Sequence, residues 1–211
     1  YRNKTGFGSV EETGRTGWDT IYALIRALQI ELGITATANN FGLGTQSRFK
    51  SRWPNGIRKN ASESNVHGII QDALWCKGYR VEYGGITLEF TDHVADSIIA
   101  LKSDIGIGGT SSTIDLELMM ALLSMKQFRI LADYGGTQSI RDAQQSINRK
   151  YKEYTDIIPT DGLYGREMNI ALIQVLQALE GFTPDEATGN FGAGTRSRLQ
   201  TTSGGTSQWV W

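Results

Sequence analysis

The chain has 211 residues, of which 39% are hydrophobic and 20% charged, a composition typical of a folded globular protein rather than a disordered one. Its net charge of -1 excludes the overall basic field that would hold nucleic acid or anionic lipid, so we expect neither nucleic acid nor membrane as a partner. No uninterrupted apolar run is long enough to span a bilayer, and 25 glycines against 3 prolines indicate many tight turns between short elements.

An amphipathic helix is the first element that the sequence predicts. Five apolar residues recur at helical spacing and would share one face of this helix: Ile21, Leu24, Ile25, Leu28 and Leu32. The pair Asp19 and Thr20 offers a cap for its start, and Gly33 offers a left-handed stop after its end. Residues 1–12 are typical of the loop that should follow an earlier helix, so we expect the chain to begin partway through a module.

The middle of the chain predicts a second, more divergent helical unit. Its first helix is predicted by the string VHGIIQDALWCKGY, in which we expect Trp75 and the chain's single cysteine, Cys76, to be buried. A second apolar stripe follows and ends before Gly106: Val94, Ile98, Leu101 and Ile105. The third helix of this unit lacks a glycine turn, and Ser112 with Asp115 offers a capping box instead.

The last part of the chain predicts a third unit. Its first helix is predicted by the string IRDAQQSINRKYKEY. Its second helix carries an apolar stripe that ends before Gly181: Leu172, Ile173, Leu176 and Leu179. The string SQWVW at 207–211 stands where another unit would begin, so residues 202–211 are a candidate start of a further module.

Two pairs of matching segments indicate a repeated unit. Residues 13–29 align with residues 161–177 without a gap, and residues 39–49 align with residues 189–199. We therefore predict an all-α fold, a tandem array of three small three-helix modules in which the first lacks its N-terminal helix. The modules occupy residues 1–54, 65–132 and 139–201, and units of this size should pack on their neighbours because they are near the lower limit for independent folding.

The third unit resembles a known family. Residues 161–182, DGLYGREMNIALIQVLQALEGF, resemble the signature of the peptidoglycan-binding domain family, and AQQSIN at residues 143–148 resembles the first helix of that family. In the first unit, TGWDTIYALIRALQIELGI is similar to repeats attached to bacterial glycoside-hydrolase-like wall lysins. The resemblance implies a non-catalytic segment of a larger secreted protein, extracellular or cell-wall associated, that binds the glycan strand or the stem peptide of peptidoglycan.

Two loops of the form NFGxGT are the candidate ligand sites. Each is a glycine-rich turn that opens a helix, and the free N–H groups of a helix start could bind a glycan hydroxyl or a stem-peptide carboxylate. The predicted ligand-binding side chains flank these N–H groups: Asn40, Thr45 and Arg48 in the first unit, and Asn190, Thr195 and Arg198 in the third. The alternative is purely structural, since a glycine turn with a capping hydroxyl suffices to begin a short helix. We expect the turns to require a positive φ at Gly42 and Gly192.

Exposed aromatic rings are a second candidate surface, because a ring offers sugars an apolar face with a polar edge. Trp18 stands at a helix start and is the predicted stacking residue. Trp53 and Trp75 are further candidates, although we expect Trp75 to lie in the core of the second unit.

The sequence predicts no catalytic or metal-binding constellation. The two histidines, His67 and His93, lack the spacing of zinc ligands. Glycoside cleavage needs two carboxylates held apart on a rigid frame, whereas the acidic pairs here are typical of caps and turns: Asp115 with Glu117, and Asp185 with Glu186. We therefore expect no enzyme activity, no metal and no cofactor. The alternative function is structural, a repeat protein that self-associates through its array ends into an oligomer or filament.

Overall fold

A computed structural model describes residues 1–59, 63–81 and 85–202. Over these residues the chain forms eight α-helices and a short 3-10 turn at Ala132–Tyr134. The helices are α1 (Trp18–Glu31), α2 (Leu43–Arg52), α3 (Ser64–Cys76), α4 (Asp92–Ile105), α5 (Leu116–Leu122), α6 (Gln138–Thr155), α7 (Arg166–Leu179) and α8 (Ala193–Thr202). Apart from an isolated antiparallel bridge between Ile57 and Ile114, this part of the chain contains no strand, so the predicted all-α class is confirmed. None of these helices is both long and apolar enough to cross a bilayer.

The chain divides into two compact units. Unit 1 holds the described residues of Tyr1–Ser103 and Gly108–Phe128. Unit 2 holds Asp104–Ile107, which include the end of α4, and the described residues from Arg129 onward. The finer division into three modules stays a prediction. The candidate start of a further module falls at 203–211, outside the described residues, except for Thr202.

Glycine sets both ends of α1. Gly17 is the N-cap in an extended conformation with φ -137°, two residues before the predicted cap at Asp19. Gly33 has a φ of 70° directly after the helix, where a left-handed residue ends the ladder of hydrogen bonds. The other two predicted stops, Gly106 and Gly181, have φ values of 92° and 78°, so all three stops are confirmed.

The core of unit 1 comes from the apolar faces of its helices. Helix α3 packs against α1, and α5 lies against α2 and α3. The predicted stripes of α1 and α4 are buried, and Leu28, Ile98 and Leu101 are completely inaccessible. Burial of each such side chain stabilises the fold by about 1.5–3 kcal/mol. Asp115 is the N-cap of α5, and its carboxylate accepts the N–H of Leu118. Asp115 therefore caps the helix itself, and the expected capping box is wrong.

The expected burial of Trp75 in α3 is wrong, because its side chain is 57% exposed. The buried face of α3 carries Val66, Ile70 and Leu74. Successive helical residues are rotated by about 100°, so the residue after Leu74 turns away from that face. Cys76 is half-buried rather than fully buried.

Unit 2 is organised around the pairing of α6 with α7. Their shared core consists of Ile147, Ile158, Met168 and Ala171, with Tyr151 and Val175 packed against it. The predicted stripe of α7 lies partly off this core, since Leu172 is 39% exposed and Leu179 is 67% exposed. That part of the stripe is wrong, because the buried face is centred on Met168 and Ala171 and Leu172 is rotated away from it.

Candidate functional site

A buried glutamine in α1 holds the first NFGxGT loop. The Nε2 atom of Gln29 donates to the carbonyl oxygen of Asn40 (2.9 Å) and to Oγ1 of Thr45 (3.1 Å). Its Oε1 atom accepts the N–H of Ala38 (2.7 Å). One side chain thus satisfies three polar atoms of the loop that opens α2, and we call this arrangement a glutamine tie.

The second NFGxGT loop is held by an equivalent glutamine tie in unit 2. The Nε2 atom of Gln177 in α7 donates to the carbonyl oxygen of Asn190 (3.1 Å) and to Oγ1 of Thr195 (3.0 Å). Its Oε1 atom accepts the N–H of Gly189 (3.0 Å). The two copies therefore use the same side-chain chemistry to fix the start of their last helix.

The predicted ligand residues of these loops take part in the protein's own hydrogen bonds. Thr45 and Thr195 are buried, and their hydroxyl oxygens accept the amide N–H of the tie. Asn40 and Asn190 are exposed at the surface, and their backbone carbonyls accept from the same amides. The geometry favours the structural alternative, and ligand binding by this set stays a prediction.

Arg48 belongs to α2 and Arg198 to α8, and their side chains reach the C-terminal ends of α1 and α7. Nη1 of Arg48 donates to the carbonyl oxygens of Leu32 (3.3 Å) and Gly33 (3.4 Å). Nη1 of Arg198 donates to the carbonyl oxygen of Glu180 (3.2 Å). A cation at this end of a helix stabilises the unpaired carbonyls and the helix dipole. Both predicted ligand cations therefore cap helices.

The glycines that require a left-handed backbone are not those predicted. Gly42 has a φ of -74°, and Gly192 also lies outside the positive region, so the expectation for both is wrong. The positive φ in the second loop belongs instead to Gly189, at 70°. A Cβ atom on Gly189 would lie 2.5 Å from Cγ2 of Ile170, which excludes other side chains there.

Two further glutamine ties were not predicted from the sequence. They join α6 and α3 to the loops that follow these helices. Gln144 in α6 donates from Nε2 to Oδ1 of Asp161 (2.9 Å) and accepts the N–H of Gly162 (2.9 Å) at Oε1. Gln71 in α3 bonds in the same way to residues 87–89. The available signal was a glutamine in the middle of an otherwise apolar helix face.

A lysine replaces the glutamine in α4. Lys102 stands at the repeat position of Gln29, is buried, and donates from Nζ to the carbonyl oxygens of Ser111 (2.8 Å) and Thr113 (2.7 Å). Because a lysine has no acceptor, it cannot make the bond that Gln29 makes to a backbone N–H. Burial lowers the pKa of Lys102.

Unit 1 contains an open cleft between α1, α3 and the N-terminal segment. Its volume is about 560 Å³, within the range of roughly 300–1,000 Å³ that is typical of small-molecule sites. Both apolar and charged side chains line it, among them Arg2, Glu12, Leu24, Asp72, Trp75 and Cys76. The cleft depends on residues far apart in the sequence, so no local motif announces it.

The lining of the cleft combines an aromatic ring with carboxylates. Trp75 presents a largely exposed ring. Desolvation raises the pKa of Asp72, one helical turn before it. Arg2 forms an ion pair with Glu12 at the surface.

Among the tryptophans in the described residues, Trp75 combines an exposed side chain with a place in the lining of the cleft. Trp18, the predicted stacking residue, is 58% exposed and packs beside Tyr22, with ring centroids 5.6 Å apart, but it does not line the cleft. Trp53 is buried and meets Phe49 edge-on at 5.0 Å. Binding by Trp18 stays a prediction.

His67 is a packed residue of α3. It is buried, its ring meets that of Phe90 edge-on at 5.4 Å, and its Nε2 has no hydrogen-bond partner. Burial lowers the pKa of His67. Across the described ranges, no three histidine, cysteine, aspartate or glutamate side chains are placed to hold a metal ion.

Comparison with known proteins gives a family match for the C-terminal part. The matching model is described as the FadG/YbfG, PGDB-like domain and covers residues 133–210. The chain is also similar to the uncharacterized protein YbfG of Bacillus subtilis strain 168, with 42% identity over 99% of this chain and 28% of YbfG. It is 39% identical to the uncharacterized protein FadG of the same strain, over 93% of this chain and 34% of FadG. The chain thus spans about a third or less of these relatives, and no solved structure matches it.

These matches correct the family that the sequence suggested. The expected resemblance to the peptidoglycan-binding domain family and to wall-lysin repeats is wrong, because the matching family is FadG/YbfG and the similar proteins are uncharacterized. The turn after Asp161, which carried the resemblance, has a structural task in this chain, because the N–H of Gly162 donates to Oε1 of Gln144. The match supports a coarser statement, a PGDB-like domain at residues 133–210, whose description points to a peptidoglycan-binding-like fold.

Proposed function

We propose that this chain is a non-catalytic segment that attaches a larger bacterial protein to cell-wall peptidoglycan. The observation that carries the proposal is the match of residues 133–210 to a domain described as PGDB-like. The relatives are much longer than the matched segment, as expected for a binding segment within a larger protein. The proposal puts the protein outside the cell, in contact with the wall.

The cleft of unit 1 supports this proposal. It is open to solvent, and both Asp72 and the largely exposed Trp75 line it. An aromatic face with polar groups at its edge is a suitable surface for polymer units that are part apolar and part hydroxylated. Wall polymers contain such units.

The proposal assigns no catalytic role to the acidic pairs. Asp115 caps α5. Glu186 accepts the N–H of Thr183 (2.9 Å), and this hydrogen bond lowers the pKa of Glu186. These carboxylates therefore stabilise a helix start and a turn, which are structural tasks.

Co-sedimentation with purified Gram-positive sacculi tests the proposal. The full chain should pellet with sacculi, and prior digestion of the sacculi with a muramidase should return it to the supernatant. A chain that stays in the supernatant with walls of several chemical types would overturn the proposal. Release of muropeptides by the chain alone would overturn its non-catalytic part.

Self-assembly is a second candidate function, favoured by one observation on α7. Leu172 and Leu179 are exposed apolar side chains on the same helix, and exposed apolar patches often mark interaction surfaces. Light scattering should then show a mass that increases with concentration, and Leu179→Glu should return the chain to a monomer. A constant monomer mass would exclude this second candidate.

A further inference from the structure

We infer that the cleft of unit 1 binds the glycan strand of the wall rather than its stem peptide, with one neutral N-acetylhexosamine ring stacked on Trp75. The inference rests on the proposed wall-binding function and names the part of the polymer that is recognised. It also moves the site from the predicted NFGxGT loops to the cleft.

The side chains of α3 supply the first part of the argument. Asp72, Trp75 and Cys76 all line the cleft, and residues three and four apart are neighbours on a helix surface. Asp72 and Trp75 therefore lie on the same face of α3, one turn apart. A pyranose has an apolar face of C–H groups and a polar edge of hydroxyls, so it can stack on the ring while its edge reaches the carboxyl group.

The charges of the cleft favour a neutral ligand. Asp72 and Glu12 bring two carboxyl groups, and Arg2, the cation of the lining, forms an ion pair with Glu12. The carboxylates of a stem peptide would therefore be repelled by Asp72 and Glu12. Arg2, which could attract them, is already paired with Glu12. Hydroxyl and acetamido groups are neutral and supply the O–H and N–H donors that carboxylates accept.

Apolar side chains complete the site opposite α3. Phe7, Ala23 and Leu24 line the cleft from the N-terminal segment and from α1. Such a wall suits the methyl group of an acetamido substituent, which gains by leaving water. An unsubstituted hexose would lack this contact and should bind more weakly.

The single cysteine provides a local readout of binding. Cys76 is half-buried in the wall of the cleft, so a bound ligand should shield its thiol from an alkylating reagent. The probes are N,N′-diacetylchitobiose, cellobiose and a free stem peptide, each titrated against the full chain. We expect diacetylchitobiose to slow alkylation several-fold, with little effect of cellobiose or of the peptide.

Two tryptophans of equal exposure form a matched control. Trp75→Ala should abolish the protection of Cys76 by diacetylchitobiose and weaken sacculus binding about tenfold, whereas Trp18→Ala should change neither. Both side chains are mostly exposed, so circular dichroism should show that both variants fold. Trp75→Phe keeps an aromatic face and should restore part of the binding.

The outcomes separate this inference from the proposed function. Pelleting of the chain with sacculi, together with protection of Cys76 by the stem peptide or by no probe, would overturn the glycan assignment and leave wall binding in place. Equal losses of sacculus binding for Trp18→Ala and Trp75→Ala would also overturn it. Failure of the unmodified chain to pellet would overturn both proposals.

Discussion

Gly162 and Gly165 lie three residues apart in one turn, yet their backbones differ. Gly162 has a φ of 78°, and a Cβ atom on it would lie 2.6 Å from the carbonyl oxygen of Thr137. Gly165 is the extended N-cap of α7 with φ -118°, and a Cβ atom there would meet nothing within 4 Å. Of these two residues, only Gly162 requires glycine.

Substitution by alanine should separate the two positions. Gly162→Ala combines a disfavoured φ with a backbone clash, so we expect the free energy of unfolding of unit 2 to fall by about 2–4 kcal/mol. Gly165→Ala loses only a favourable N-cap and should cost about 1 kcal/mol or less. Denaturant titration of both variants measures the difference. Equal effects of the two substitutions would show that the clash at Gly162 is relieved by movement of the backbone.

Leu88 shows why this turn could not be located from sequence in the middle of the chain. It has a φ of 61° at the place of Gly162 in the repeat. A leucine in this region costs roughly 1–2 kcal/mol, so glycine would be the expected residue. Without a glycine to mark the turn, the sequence pattern disappears although the backbone geometry persists.

At the scale of the element, buried side chains that hydrogen-bond to a loop hold that loop against its helix. Lys102 replaces a glutamine and still donates to the carbonyl oxygens of Ser111 and Thr113. Lys102→Gln should therefore change the stability of unit 1 by about 1 kcal/mol or less. Lys102→Met has a similar length but no donor, and it should cost about 2–4 kcal/mol because two interior carbonyls lose their partner. Urea unfolding of both variants tests this. Equal stability of the two variants would show that the hydrogen bonds donated by residue 102 do not stabilise unit 1.

Helices were easier to predict than the polar contacts that hold them. The apolar periodicity of α1 and α4 predicted their buried faces, since one face of a helix must leave water. In α7, the pattern misplaced Leu172 and Leu179 because exposure depends on which neighbour covers the helix. The partners of Gln29 and Gln177 lie about ten or more residues away, in the following loop and in the first turn of the next helix, and helix periodicity carries no information about such contacts.

At the scale of the whole molecule, the two units differ in their buried cations. In unit 1, Lys77 donates from Nζ to the carbonyl oxygen of Lys126 (2.6 Å), and burial lowers its pKa to about 8. Burial also lowers the pKa values of Lys102 and His67. In the described part of unit 2, the group with a shifted pKa is the exposed carboxyl of Glu186, whose pKa is lowered by its hydrogen bonds to Thr183.

Unit 1 should therefore gain stability as the pH rises from about 8 to about 10. Between about pH 8 and pH 10 the folded state binds fewer protons at Lys77 than the unfolded state, so the free energy of unfolding should rise, by at most about 3 kcal/mol. His67 has the same sign at lower pH, where stability falls as the pH drops below about 6.5. The pKa of Tyr1 is raised by burial and by Glu31. Above about pH 10 this group therefore lowers the free energy of unfolding as the pH rises.

Amide hydrogen exchange, corrected for the intrinsic effect of pH, can follow the two units separately. Unit 2 serves as the internal reference. In Lys77→Met, the free energy of unfolding of unit 1 should no longer rise between about pH 8 and pH 10. A rise of the same size in the variant would assign it to other groups.

The all-α class could be predicted because it follows from local patterns of glycine and apolar residues. The cleft could not. Its walls come from Arg2, from α1 and from α3, which meet only after the chain has folded. Trp75 was expected in the core for the same reason, since its neighbours in sequence are apolar and its neighbours in space leave it open.

The glutamine ties also affect how the protein would respond to mechanical load. A protein fixed to a wall is pulled through its chain ends, and tension along the backbone would tend to peel each loop from its helix. Gln177 opposes this with hydrogen bonds to Gly189, Asn190 and Thr195, which must break together before the loop can lengthen. Under the proposed wall attachment, rupture of the tie at Gln177 would lengthen its loop in unit 2 while the tie at Gln29 in unit 1 stays closed.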